Sequence, residues 1–140
     1  MEISAALAAA RGTHQSVLTT LRRSGRPQLS NVVHAVDDLG VLRVSTTADR
    51  AKYANLRREP WAALKVDAGS FWSYAVLEGP VALSAVAASP DDDDAVEELV
   101  ALYRAISGEH DDWDAYRAAM VAERRVVVRL RPDHVYGSLR

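Results

Sequence analysis

"VLRVSTTADRAKYANLRREPWAALKVDA", Val41 to Ala68, is the stretch on which the fold turns. Val41, Arg43 and Ser45 alternate with Leu42, Val44 and Thr46, the two-residue period of a strand. The cationic segment that follows reads as a short helix stopped by Pro60, which can neither donate nor continue a helix. "WAALKVDA" then reads as another strand. Four cations, Arg50, Lys52, Arg57 and Arg58, fall in this helix although the chain's formal net charge is only -2. Arg50 and Lys52 lie at its start, where the backbone already presents partial positive charge. Each would cost a few tenths of a kcal/mol there, roughly, if no anion bound. A phosphate reverses the sign, because backbone N–H groups, the hydroxyls of Ser45, Thr46 and Thr47, and the two cations can converge on one dianion. The competing reading is a solvated basic helix, with Glu59 and the acidic run 91–98 offering surface ion pairs.

Outward from this stretch the pattern is mostly β. "THQSVLTTLRR", the turn "SGRP" and "QLSNVVHAV" predict a hairpin from Thr13 to Val36, and "DDLG" the next turn. "FWSYAVLEGPVALSAVA" predicts a long strand bent at Gly79-Pro80. On it Trp72, Tyr74 and Val76 would share one face, with Phe71, Ser73 and Ala75 on the other. Such aromatics wall a planar ligand, fill a barrel or meet a second subunit. Ser4 is expected to cap a first helix ending at Gly12. A longer helix is expected to open with Ser89 as cap and Pro90 in its first turn. The "DDDD" run then sits where anions favour a helix start, without the glycine and spaced ligands of a calcium loop. "DDWDAYRAAMVAE" predicts a helix with Trp113, Tyr116 and Met120 on one stripe. "RRVVVRLRPDHVYG" closes as a strand, with Val126, Val128 and Leu130 opposite Arg125, Arg129 and Arg131. The expectation is an α+β, mainly β, single domain over residues 1–140: a six-stranded antiparallel barrel with flanking helices.

Composition excludes several functions. There is no cysteine, hence no disulfide or thiolate chemistry. His14, His34, His110 and His134 are scattered singly, without the spacing of a helical metal site, and are expected at surfaces or turns. No phosphate-binding Gly-rich loop or serine elbow is present. The mild negative charge gives no global drive toward nucleic acid or anionic membrane. Arg57, Arg58, Arg129 and Arg131 could form a basic patch, but no RNA-binding aromatic motif accompanies them. "MEISAALAAARG" has an acidic residue where a signal peptide needs basic ones, so a cytoplasmic location is expected.

"GRPQLSNV", "VSTTADRAKYANLRREP", "VDAGSFWSYAVLEGPVAL", "DDDDAVEELVALYRAISGEHDDWDAYRAAMVAERRVVVRL" and "PDHVYG", in this order, carry a resemblance over almost the whole chain. It resembles the pyridoxamine 5′-phosphate oxidase-like, FMN-binding-type split β-barrel proteins, specifically the branch that binds the deazaflavin coenzyme F420. "RAKYANLRREP" and "GEHDDWDAYRAAMV" are the most specific parts.

The resemblance implies a homodimer with two cofactor sites at the subunit interface. Arg50 and Lys52 would hold the coenzyme phosphate, with Ser45 nearby and Asn55 in support. Gln28 and Asn31 would lie beside the ring, and Ser73 and Tyr74 would approach from the neighbouring β segment of the same or the other subunit. Gln28 and Asn31 point to opposite faces of a regular strand, so without a bulge only one side chain can touch the ring. The implied activity is an F420-dependent oxidoreductase passing hydride to a planar conjugated acceptor such as a quinone or tetrapyrrole. An FMN-binding oxidase or reductase of the same fold, or a non-catalytic F420 carrier, are the alternatives. The chemistry belongs to the cofactor, so no acid–base dyad is required and no catalytic residue is named.

Overall fold

A computed structural model describes residues 1–140. In chain order the elements are α1 (Ile3–Arg11), β1 (Gln15–Leu21), β2 (Pro27–Val33), β3 (Ala35–Val36), β4 (Leu42–Thr47) and α2 (Ala51–Arg58). Then come β5 (Trp61–Asp67), β6 (Tyr74–Leu83), α3 (Asp94–Ser107), α4 (Trp113–Ala122), β7 (Arg125–Leu130) and β8 (His134–Ser138). The sheet is antiparallel and runs β2-β1-β5-β6-β7-β4-β3, with β8 on β6. It has eight strands rather than the expected six. Two predicted strands are each broken in two, one at His34 and one at the Arg131–Asp133 turn. No helix is long and apolar enough to cross a membrane.

Two corners curl the sheet. At the first, the chain leaves β1's partner strand β2 and joins β4 as β3, with His34 between them. The two ends of the hydrogen-bonded path are therefore consecutive in sequence. His34 is fully buried, not a surface or turn residue as its isolated position suggested. Its Nε2 donates to the Ala10 carbonyl of α1 (2.8 Å), so Nδ1 is the acceptor and takes the Ser16 hydroxyl (2.8 Å). At the second corner β6 exchanges partners: residues 74–78 pair with β8, and residues 81–83 with β7. The turn between β7 and β8 crosses β6 at Gly79, where a Cβ would lie 2.3 Å from the Arg131 carbonyl oxygen. Only a residue without a side chain admits that approach. Pro80 follows, its carbonyl accepting from the Arg131 N–H (3.1 Å).

Inside the curl lies the main core, including Leu18, Leu42, Val44, Leu64, Leu77, Val128 and Leu130, with Ala6 and Ala10 of α1 packed against them. Small residues let the helix backbone come close. A second cluster sits outside β7, where Val127 meets Val96, Leu99 and Val100 of α3 and Met120 of α4. The "VVV" of β7 is thus buried on both faces, and α3 covers the arginine face instead of leaving it to solvent. Glu98 of α3 accepts from Arg129 (2.7 and 2.5 Å) and from Arg43 (2.9 Å), pinning the helix to β7 and β4.

Several local expectations are corrected. α1 has no side-chain cap; Glu2, not Ser4, precedes it. α3 starts at Asp94, later than Ser89-Pro90 indicated, because Asp93 is the better cap. Its carboxylate accepts from Ala95 and Val96 at the helix start and from Ala88 and Ser89 in the incoming loop. Most of the "DDDD" run is therefore loop. Phe71 and Trp72 are not in β6 but in the turn before it, 76% and 66% exposed and stacked edge-on at 4.8 Å.

Gly79→Ala is expected to destabilise by at least about 1–3 kcal/mol, since two backbones must separate. Thermal denaturation reads this as a loss of several degrees. His34 supplies a second test. Burial holds its pKa below 6.5, against the Ala10 carbonyl bond, which pulls upward. The native state refuses a proton that the unfolded chain accepts near pH 6.5, so stability falls as pH drops below that value, by at most about 1.4 kcal/mol per unit. His34→Gln, which keeps a donor for Ala10, should flatten this slope relative to wild type in urea titrations across pH 5–8.

Candidate functional site

The β1–β2 hairpin, β4, β5, the start of α2 and the start of β7 surround a cleft of about 670 Å³. β1 contributes Gln15, Ser16 and Val17, β2 Asn31, Val32 and Val33, and β4 Ser45, Thr46 and Thr47. Arg50 and Lys52 enter from α2, Lys65 and Asp67 from β5, and Arg125 from β7. One wall is lightly apolar, through Val17, Val32 and Val33. The opposite wall is cationic.

The start of α2 differs from those of α3 and α4. Asp93 and Asp112 cap the latter two through side-chain oxygens, and both have acidic residues in their first turns. The residue in the cap position of α2 is Arg50, which makes no side-chain cap, and the first turn holds no acid. The helix end with orphan N–H groups and positive potential therefore faces the cleft beside two more positive charges. Neither Arg50 nor Lys52 takes part in an ion pair, whereas Arg43, Arg104, Arg117, Arg125 and Arg129 all do. Burial lowers the pKa of Lys52, and repulsion from Arg50 and Arg125 lowers it further. Chemically this is an anion site: donors converge, and although Asp49 lies near enough to Arg50 to feel its charge, no carboxylate forms an ion pair with Arg50 or Lys52.

The other two cations of the helix serve structure. Arg58 donates to the Leu21 carbonyl (2.7 Å) and to Asn55 (3.1 Å), and Arg57 lies 5.8 Å from the Tyr53 ring centroid. At the helix C-terminus both also suit the backbone dipole. The basic patch drawn from Arg57, Arg58, Arg129 and Arg131 does not form as one surface, since Arg129 is bound to Glu98.

Of the residues expected at the site, the fold brings Ser45, Arg50, Lys52 and Asn31 into the cleft. Gln28 is outside it: β1 and β2 pair without a bulge from Gln15–Val33 to Leu21–Pro27, so Gln28 and Asn31 face opposite ways. Asn55 is buried instead, donating to Thr20 (3.1 Å), and ties α2 to β1. Ser73 accepts from the Arg140 N–H (3.1 Å), and Tyr74 lies 5.7 Å from the Lys65 ammonium; neither lines the cleft within one chain. Of the three hydroxyls, Thr47 donates to Asp49 and Thr46 is buried. Sequence reasoning missed Lys65, Asp67 and Arg125. Alternation within "LKVD" could have flagged the first two, which form an ion pair of 2.6 Å. Arg125 reaches the cleft because it pairs with Thr47 across β4 and β7, a register that no local pattern states.

The sequence family described as pyridoxamine 5′-phosphate oxidase matches residues 3–138. A solved structure described as an F420 reductase shares 25% identity, with 92% of this chain and 94% of that chain covered and a TM-score of 0.69. A conserved hypothetical protein from Mycobacterium tuberculosis shares 21% identity over 96% and 82% of the two chains, at a TM-score of 0.75. A pyridoxamine 5′-phosphate oxidase-related, FMN-binding protein from Nostoc punctiforme shares 19% identity over 95% and 80%, at 0.61. The curled sheet with four flanking helices is the split-barrel fold of these structures.

If the cleft's charge is uncompensated, Lys52→Met should stabilise the free protein, by roughly 0.5 kcal/mol. Inorganic phosphate should raise the melting temperature of wild type but much less that of the variant. Differential scanning fluorimetry with and without phosphate checks both.

Proposed function

We propose that this chain, which belongs to the pyridoxamine 5′-phosphate oxidase family, binds coenzyme F420 through its phosphate and passes hydride from the reduced coenzyme to a planar conjugated acceptor. The observation that carries the reading is the unpaired Arg50–Lys52 couple at the uncapped start of α2. A phosphate there opposes both the burial and the mutual repulsion that lower the Lys52 pKa, and gives the first-turn amides an acceptor. The donor set therefore fits a phosphate-bearing cofactor. The F420 reductase, aligned over nearly the full length of both chains, supports the deazaflavin over other phosphate-bearing rings.

In this reading Arg50 and Lys52 anchor the phosphate, and Ser45 adds a hydroxyl. Asn31 hydrogen-bonds the ring edge, while Val17 and Val33 cover one ring face and keep water from it. Bound and reduced, the deazaflavin supplies a hydride from a ring carbon. The chain orients it and leaves the other face to the acceptor. FMN is the second reading: it too carries a phosphate, and the FMN-binding protein from Nostoc punctiforme shares the fold. A carrier that binds F420 without turnover is the third.

We further propose that the cleft is completed by a second copy. Leu29, Asn31 and Val33 alternate onto one face of β2. Leu29 is 63% and Val33 50% exposed, so an apolar row runs from the cleft across open surface. A dimer covering it would bury the row and bring partner residues over the ring.

Equilibrium titration of F420 and FMN into one preparation tests the cofactor: F420 should bind more tightly. Arg50→Ala and Lys52→Ala should each weaken it about tenfold or more, since a charge-assisted bond contributes roughly 1.5–3 kcal/mol. Equal affinity in wild type and both variants would remove the phosphate assignment. Turnover with an oxidant of the quinone class separates the enzyme from the carrier. Sedimentation velocity should show a dimer that Leu29→Asp disrupts.

A further inference from the structure

We propose that Arg125 is a third ligand of the phosphate in this cleft and that Glu123 is the residue that positions it. This rests on the phosphate-binding reading above and extends it to residues that neither the cationic helix nor the family resemblance points to.

Arg125 opens β7 opposite Thr47 and lines the cleft with Arg50 and Lys52. Its guanidinium carries five N–H donors in a planar fork. Nε and Nη2 both donate to a single oxygen, Glu123 Oε1, at 3.0 and 2.8 Å. Nη1 extends the other way, to 3.4 Å from the Ser45 hydroxyl, at the outer limit of a hydrogen bond. One edge of the fork is thus clamped, while the end formed by Nη1 and the remaining Nη2 hydrogen is left for the cleft. Arg129, on the same face of β7, behaves differently: it makes bonds to both oxygens of Glu98 and also shares that carboxylate with Arg43. Arg129 is consumed by packing. Arg125 is held but not used up.

The clamp has a local origin. Glu123 ends α4, and Arg124 reverses the chain in the left-handed region at φ 53 before β7 begins. That single-residue reversal sets Glu123 and Arg125 side by side. A carboxylate at this point does two things. It fixes the guanidinium so that its free end, not its flexible stem, meets the ligand. It also tempers the repulsion among three cations, which adds to burial in lowering the pKa of Lys52. An anion held end-on by Arg125 and laterally by Arg50 and Lys52 receives donors from β7 and α2 at once. Lys65 and Asp67, on β5 beside β1, neutralise each other, whereas Arg50 and Lys52 have no such partner.

The test compares each coenzyme with a form that lacks its phosphate, so that ring binding and fold integrity cancel. Affinities are measured for FMN against riboflavin, which lacks the phosphate alone, and for F420 against its ring-and-ribityl precursor, which lacks the whole phosphodiester side chain. In wild type the phosphorylated member should bind more tightly in at least one pair. Arg125→Gln should shrink that ratio about tenfold or more, leaving the dephosphorylated member unchanged. Arg125→Lys should not restore it, because a point charge lacks the fork. Glu123→Ala should shrink it about fivefold by freeing the guanidinium, while Glu123→Gln, which keeps the acceptor oxygen, should retain or raise it. If wild type shows no preference for phosphorylated ligands, the phosphate reading itself fails. If wild type and Lys52→Ala differ but Arg125→Gln keeps the full ratio, only this inference fails. If Glu123→Ala leaves the ratio intact while Arg125→Gln lowers it, the positioning role of Glu123 is overturned.

Discussion

His34 stands between β2 and β3, the two ends of the hydrogen-bonded path, and its imidazole ties the corner it occupies to two other elements: β1 through Ser16 and α1 through Ala10. Both ring nitrogens are satisfied in one tautomer, which a buried neutral histidine requires. Because α1 is tied here, Ala6 and Ala10 seat against the core and close the curled sheet. Because the chain turns here, β4 comes round to face the β1–β2 hairpin, and the cleft forms between them. The Gly79 crossing completes the curl from the other side, bringing β7 to β4. The site is a consequence of where two corners put three strands.

Elsewhere in the molecule charge is matched with care. Glu98 serves two arginines, burial alone would raise its pKa, and the guanidiniums of Arg129 and Arg43 hold it below the usual range. Helix starts are capped by Asp93 and Asp112. α1 and α2 both start without a side-chain cap or a first-turn acid, but only the start of α2 adds two cations that take part in no ion pair. Such an exception lowers the stability of the free protein and is expected where function requires it. The cleft converts a local electrostatic deficit into affinity for an anion.

Much of the fold was legible because periodicity and punctuation carry it. Pro60 stops α2, the turn around Gly25 closes the hairpin, and Gly79-Pro80 marks the corner of β6. Errors fell where one local rule outcompeted another. Ser89-Pro90 looks like a helix start, but Asp93 can cap the helix and bind the preceding loop together, so the helix begins later. Phe71 and Trp72 fit a strand's alternation, yet the turn after β5 takes them out of it. His34, isolated in sequence, offered no sign that it was a junction, since its partners are contributed by α1 and β1.

By itself the sequence determined that the chain is mainly β and that a short helix presents Arg50 and Lys52 at its electrostatically unfavourable end. Those are statements about neighbours in the chain, and propensity and the helix dipole act over that range. Tertiary structure alone decided that Asn31 and not Gln28 faces the cleft, that Asn55 turns inward, and that Arg125 joins cations more than seventy residues away. Each depends on which strand lies beside which and in what register. The curl of the sheet settles that through buried area and backbone pairing, which no local pattern encodes.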